Sequence, residues 1–492
     1  LSQIIAIDRL VDEQRIRWFN VSLLAWSFLA MFADGYDIGA LSFAQPELEA
    51  VWHVPKAAFG PASSASLFGI LLGAPLLGWF GDRYGRKAAI ILGSVVYGIA
   101  SLAVTGTHDL EQVIALRLIT GIGLGGIMPN TIALNSELAP KRLRATLITL
   151  MFVGITLGSS APGLIAYAWM PHYGWRVLFW VGGLVPLAVA VCLIFALPES
   201  VKFLALRGGR SRQLLAIARR MRPDLVIDDD ARFVAGGWGL DSGAAEGAGR
   251  ERLAINPPAS LPRRARFAGD AIGIKRLFAG GLAWITPLLW ACFATALMSN
   301  YFLNSFLPLI FRDSGMAPGR AALAATMYHV GGTAGGLLMS VLLDRFGFVV
   351  IALLFAAAVP AIAAIGVVPA TFAALAPLAT LSGLAVLGAQ FGNNAAAGLL
   401  YPTAVRSKGV GWALGVGRFG AIVGPLAGGV LLGMNLPLHQ LFLAAAAPML
   451  AGAIAAAALV RLCYVRLGGL KLDDVPASDA PSIAGDASAS LP

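Results

Sequence analysis

GDRYGRKAA, residues 81–89, is a short basic stretch between two long apolar runs, and it has a degraded copy, DRFGF, at residues 344–348. Asp82 and Asp344 are 262 positions apart, as are Arg83 and Arg345, Gly85 and Gly347, Pro140 and Pro402, and Arg144 and Arg406. An offset of 263 carries Pro162 onto Pro425. The chain therefore reads as a duplicated membrane bundle, and duplicated halves that meet around a site at the bilayer midplane are the architecture of secondary transporters.

Composition supports a polytopic membrane protein. With 58% hydrophobic residues, 13% charged and a mean hydropathy of +0.77, the chain is far more apolar than a soluble protein, whose charged share is about 25%. Residues up to Arg17 are polar and charged and lead straight into a full-length apolar run, so no cleavable signal is expected. Cys192, Cys292 and Cys463 lie in apolar runs without paired spacing. They are expected to be packing residues, with no disulfide framework and no metal site.

Runs long enough to cross ~30 Å of hydrocarbon occur at 18–42, 59–80, 88–106, 110–134, 144–167, 176–197, 282–311, 319–343, 347–368, 372–400, 408–433 and 438–464. This predicts an all-α membrane protein of twelve spans in two six-helix halves, residues 1–197 and 282–466. A central loop, 198–281, and a tail, 467–492, complete it. If the N-terminus is inside, 30 Lys and Arg fall on the inner side and only Lys56, Arg176, Arg312 and Arg320 outside, leaving Arg117 and Arg418 within spans. The bias predicts cytoplasmic termini. The net charge of +10 is then an orientation signal, and nucleic acid drops out as a partner. The loop opens with a basic amphipathic stretch, Arg210 to Arg222, before turning linker-like, and the tail is expected to be disordered.

Charges inside the spans are the candidates for chemistry, because an intramembrane charge costs several kcal/mol unless it is paired or wetted. Asp34 and Asp37 are three apart and share a helix face, in the outer part of a span ending near residue 42. Arg117 enters the fourth span from outside to a similar depth, about 10 Å. A guanidinium facing two carboxylates suggests either proton coupling or a structural ion pair, with Asp34 expected to pair with Arg117 and Asp37 to titrate. Arg418 stands about 15 Å into the eleventh span, and spans ten to twelve contain no acidic residue. Its planar fork suits an anionic carboxylate; the alternative is a bond to backbone carbonyls or to Asn393 and Asn394. His329, midway along the eighth span, is either a proton carrier or interhelical glue. Gln390, Asn393, Asn394, Asn300 and Asn304 offer hydrogen bonds to a ligand. Trp290, Tyr301, Phe302 and Tyr328 offer faces for an aromatic ring or simply packing.

GWFGDRYGRK at 78–87 and RLITGIGLGGIMPN at 117–130 resemble the loop signature and fourth-helix pattern of the major facilitator superfamily. Within it, DGYD at 34–37, MPNTIALNSELAPKRLRAT at 128–146 and YPTAVRSKGVGWALGVGRFGAIVGP at 401–425 resemble the aromatic acid:proton symporter family. The resemblance implies proton-coupled import of a benzoate-type or hydroxybenzoate-type acid across a bacterial inner membrane. The carrier would be a monomer among membrane lipids, with protons as coupling ion and no other cofactor. It also implies that Asp82, with Arg83, Arg86 and Lys87, latches onto a helix of the other half, as would Asp344 and Arg345 in the copy. Glu137 with Lys141, Arg142 and Arg144, and Arg406, are expected to form similar gating networks. No enzyme motif is present. A symporter of another organic anion such as a dicarboxylate, a drug:proton antiporter and a ligand sensor are the competing readings.

Overall fold

The structure is a computed structural model that describes residues 4–206, 211–229, 231–234, 277–278, 282–401 and 405–467. Among these, twelve long helices carry the fold. The first six are α1 (Trp18–Trp52), α2 (Phe59–Tyr84), α3 (Arg86–Val104), α4 (Leu110–Leu138), α5 (Arg144–Ala168) and α6 (Arg176–Ala196). The second six are α7 (Leu282–Asp313), α8 (Pro318–Phe346), α9 (Val349–Ile365), α10 (Phe372–Leu400), α11 (Arg406–Gly433) and α12 (Leu438–Leu467). Ten are long and apolar enough to cross a membrane unaided. The others are α8, its apolar run diluted by glycines and His329, and the 17-residue α9. An even number of spans puts both ends of the bundle on one face, the termini face; the opposite one is the far face.

The duplication is visible in the packing. In the first half α1 lies on α5, α2 on α4, and α3 on α4 and α6; in the second, α7 lies on α11, α8 on α10, and α9 on α10 and α12. Between halves, α2 meets α11 and α5 meets α8, contacts that exchange under a twofold, while α1 meets its own copy α7. Small residues bring these pairs close: a Cβ on Gly121 of α4 would run into the Ser66 carbonyl of α2, and one on Gly383 of α10 into the Tyr328 carbonyl of α8. Such backbone contact gives packing without side-chain interdigitation, which suits helices surrounded by lipid.

The halves are closed against each other toward the far face. Lys56 in the α1–α2 turn pairs with Asp313 at the end of α7 (2.5 Å). Ser64 Oγ donates to the Ile422 carbonyl (2.8 Å) and Asn304 Nδ2 to the Ile38 carbonyl (3.2 Å). Gly60 lies against the backbone of Pro425 and Gly429.

On the termini face the first half carries a small cap. Ile4–Ala6 pairs in parallel with Arg232–Val234, and helices Ile7–Asp12 and Ser211–Met221 pack beside this strand pair. Leu10, Leu215, Ala218 and Ile227 form the cap's core, and Ile7, Val11, Leu214 and Met221 seal it onto Leu134, Leu138 and Leu193 of α4 and α6. The basic stretch after residue 210 is thus a docked helix. Part of the stretch expected to be linker-like, Arg232–Val234, joins the cap as a strand, while residues 235–276, 279–281 and 468–492 lie outside the described residues. Cys292 and Cys463 are buried as expected, whereas Cys192 is exposed on the side of α6.

Candidate functional site

Helix α1 runs ten residues past its expected end at 42, to Trp52. Asp34 and Asp37 therefore lie near its middle, with Asp34 about 24 Å from Trp18 and about 27 Å from Trp52. The DGYD stretch is tied down from three directions. Tyr97 of α3 donates to the Ala33 carbonyl (3.0 Å), Ser159 of α5 to that of Gly35 (3.1 Å), and Tyr36 itself donates to the Leu178 carbonyl of α6 (2.9 Å). Position 35 has room only for glycine, because a Cβ there would strike the Ile155 backbone of α5.

Arg117 pairs with Asp37, not with Asp34. Its Nη1 lies 2.6 Å from Asp37 Oδ1, its Nη2 donates to the Asp37 carbonyl (3.3 Å), and the two side chains are 4% and 1% exposed. The two aspartates share a face, so sequence left the choice to depth. Arg117 descends only about 10 Å from the far end of α4 and meets the aspartate nearer that end. Asp34, 6% exposed, makes no ion pair. The charged group it feels from the other half is Arg418.

Arg418 sits about 18 Å along α11 from Arg406 and is half-buried at the seam between halves. Its recorded side-chain contact is the Met128 thioether of α4, 3.9 Å from Nη2. A thioether is a weak acceptor, so the guanidinium fork is uncommitted. Tyr301 of α7 lies in the field of both Arg418 and Asp34. Asp34, Arg418, Tyr301 and Met128 thus form a small polar centre where the halves meet, and Met128 is the member that sequence reading passed over, since a methionine in an apolar helix carries no signal.

The remaining candidates divide. Asn304 joins the centre from α7 through its bond to Ile38. Asn300 accepts from the Tyr328 hydroxyl (2.9 Å), so both are committed to each other inside the second half. His329 packs edge-on against Tyr328, with no carboxylate recorded beside it. Trp290 stacks on Trp412 and meets the edge of Phe278, in the part of α7 near the termini face. Phe302 packs against Phe306 as core. Gln390 Oε1 and Asn393 Nδ2 lack partners, while Asn394 is exposed.

The basic turn forms its network within the first half. Asp82 is 69% exposed and bonds to Arg86, and Arg86 also approaches Glu137 (3.9 Å), which bonds to the Ser200 hydroxyl. No bond from Asp82 to the second half occurs among the described residues. Glu137 engages Arg86 and Ser200, and Arg142 instead donates to the Gln14 carbonyl (3.2 Å). Glu199 accepts from the backbone N–H groups of Arg86 (2.9 Å) and Lys87 (3.3 Å), capping α3. Burial raises its carboxyl above the ordinary range, against the pull of hydrogen bonds from the N–H groups of Ser200, Lys87 and Arg86. Arg83 and Arg345 lie over the rings of their neighbours Tyr84 and Phe346, and Arg406 donates to the Tyr401 carbonyl (3.2 Å). The side chains of Lys141, Arg144 and Asp344, and residue Pro402, lie outside the described residues.

Twelve helices in twofold-related halves, with opposed charges at the seam, define a membrane transporter of the major facilitator class. Residues 23–236 match the family described as sugar (and other) transporter, and residues 289–482 match the major facilitator superfamily. Among solved structures, the inward open conformation of the xylose transporter XylE from E. coli aligns with a TM-score of 0.65 at 15% identity, covering 93% of this chain and 99% of that one. A bacterial homologue of the lysosomal transporter Spinster aligns with a TM-score of 0.62 at 17% identity, over 92% and 97%. The chain is 32% identical to the gallate transporter of Pseudomonas putida over 96% of its length and 97% of the relative's. It is 33% identical to the 4-hydroxybenzoate transporter PcaK of Pseudomonas aeruginosa, over 92% and 96%. The chain belongs to the major facilitator superfamily and, within it, to the aromatic acid transporter family.

Proposed function

We propose that the chain imports an aromatic carboxylate of the benzoate or hydroxybenzoate type, together with protons, across a bacterial inner membrane. Both termini would be cytoplasmic, and the carrier would act as a monomer in lipid. The observation that carries this reading is the uncommitted guanidinium of Arg418, which shares the seam with the unpaired Asp34. A substrate carboxylate seated in that fork takes up the positive charge that otherwise offsets Asp34, and protonation of Asp34 becomes more favourable. Anion and proton then bind with positive coupling, which by linkage acts equally in both directions. The relatives' names, a gallate and a 4-hydroxybenzoate transporter, support the substrate class.

In this scheme Asp37 rests ionised against Arg117 between proton transfers, and Tyr301 and Asn304 orient the ring. Gln390 and Asn393, each with a side-chain atom that lacks a partner, offer it further hydrogen bonds. The charge network around Asp82 biases the rocking of the halves. His329, without a charged neighbour, is a weaker candidate for the proton. Reconstituted vesicles with an imposed inward proton gradient should accumulate labelled benzoate or 4-hydroxybenzoate against its gradient. Equilibration without accumulation, at any imposed pH difference, would refute the coupling.

A further inference from the structure

On the far side of the Asp37–Arg117 pair, a small cavity of about 20 Å³ lies between the halves. It is large enough for one water. Its wall includes Ser42 of α1, Ser66 of α2, Arg117 of α4, and Tyr301, Asn304 and Ser305 of α7. Arg117 Nε and Asn304 Oδ1 have no hydrogen-bond partner, and both residues are more than nine-tenths buried. The Ser66 hydroxyl is turned toward the Asp37 carboxylate. Buried polar groups of this kind are costly to leave without a partner.

The cavity also has a direction. Gln45, fully buried, lies beyond it toward the far face, where its Nε2 donates to Ser63 Oγ (3.0 Å) and its Oε1 is unpartnered. Asp37, Leu41, Gln45 and Glu49 follow one another at i, i+4, on one stripe of α1. Glu49 ends the stripe in the wall of a recess of about 500 Å³ on the far face.

We propose that this cavity holds a water that passes protons from the far face to the carboxylate pair of α1, by a route separate from that of the anion. The route is shut while the halves are closed at the far face, and the Gln45–Ser63 bond of the first half lies along it. When they part, a proton enters along the Glu49–Gln45 stripe and forms hydronium in the cavity. The hydronium gives its proton to an Asp37 oxygen and becomes water again. Asp37 loosens from Arg117, hands the proton to Asp34 and re-forms the pair. The charged and titratable groups facing Asp37 are Arg117 from α4, Tyr97 from α3 and, past Asp34, Tyr301 from α7 and Arg418 from α11. Among the described residues, no second carboxylate is recorded approaching from another helix.

The proposal rests on proton coupling through Asp34, and the test separates the two. Ser66→Val, which fills the cavity, should lower the ratio of pH-driven accumulation to counterflow exchange at least tenfold, and Ser66→Ala, which leaves room for water, should lower it less. If Ser66→Val does not insert, Ser42→Val blocks the same space from α1. Alanine as harmful as valine, or a valine variant at either position with a normal ratio, overturns the water route. Should Asp34→Asn itself accumulate substrate normally, the coupling reading fails whatever the serine variants do.

Discussion

Arg418 and Asp34 work through what they lack. A buried ion pair satisfies itself, as Arg117 and Asp37 do at 2.6 Å, and removing one partner of such a pair costs roughly 3–5 kcal/mol. Arg117→Gln should accordingly reduce the yield of folded protein, read as monodisperse material after detergent extraction. Among the described residues the one recorded hydrogen bond of Arg418 is to a thioether, so its loss should leave the fold intact. Losing the charge-assisted fork removes roughly 2–5 kcal/mol of anion binding. Arg418→Ala should therefore weaken apparent substrate affinity by at least about thirtyfold with normal extraction yield, and Arg418→Lys should recover only part of it, because a point charge lacks the planar fork. An alanine variant with unchanged apparent affinity removes Arg418 from the site. The charged residues were legible in the sequence because an apolar helix advertises every exception. Which aspartate takes Arg117 was not, since a three-residue spacing leaves both on one face and only the depth of α4 decides.

At the level of elements, apolar runs marked the lipid-crossing parts of the helices and missed where helices go on beyond them. The last turns of α1, with Pro46, Glu47 and Glu49, look like a loop by composition, yet they stay helical where α7 packs against α1 and Lys56, just past this end, pairs across the seam. The cap of α3 was equally hidden, since Glu199 comes from 113 positions away. Gly85, at φ +116°, is held there because any Cβ would both strain the backbone and strike Glu199. Glu199→Ala frees the first N–H groups of α3 and should cost about 1 kcal/mol, visible as a lowered melting temperature in detergent; Glu199→Gln keeps an acceptor and should cost less. The sign of the pH effect follows from the raised carboxyl. The folded chain holds that proton more tightly than the unfolded one, so the residue's burial penalty is present above its folded pKa and relieved as pH falls through it. The glutamine variant should lose that part of the pH dependence. Equal melting of all three forms across pH would exclude a capping role.

For the whole molecule, the described polar contacts between the halves gather toward the far face, and the one charged pair among them is weak. The Lys56–Asp313 pair has both side chains about a third exposed, and a pair in that setting is worth about 0–1 kcal/mol. The glycine contacts between α2 and α11 add close packing but no charge. A closure this light can be undone by a modest difference in ligand affinity between the two arrangements of the halves, which is what alternating access requires. Fixing it should then stop transport without touching the polar centre. In a background lacking Cys192, Cys292 and Cys463, Lys56→Cys together with Asp313→Cys brings two thiols across the seam. A short reducible thiol linker between them should cut uptake at least tenfold, and reduction should restore it. Each single-cysteine variant treated alike should keep its activity. If uptake persists with the linker in place, as established by mass, the far face need not open during the cycle, and substrate must reach Arg418 by another way.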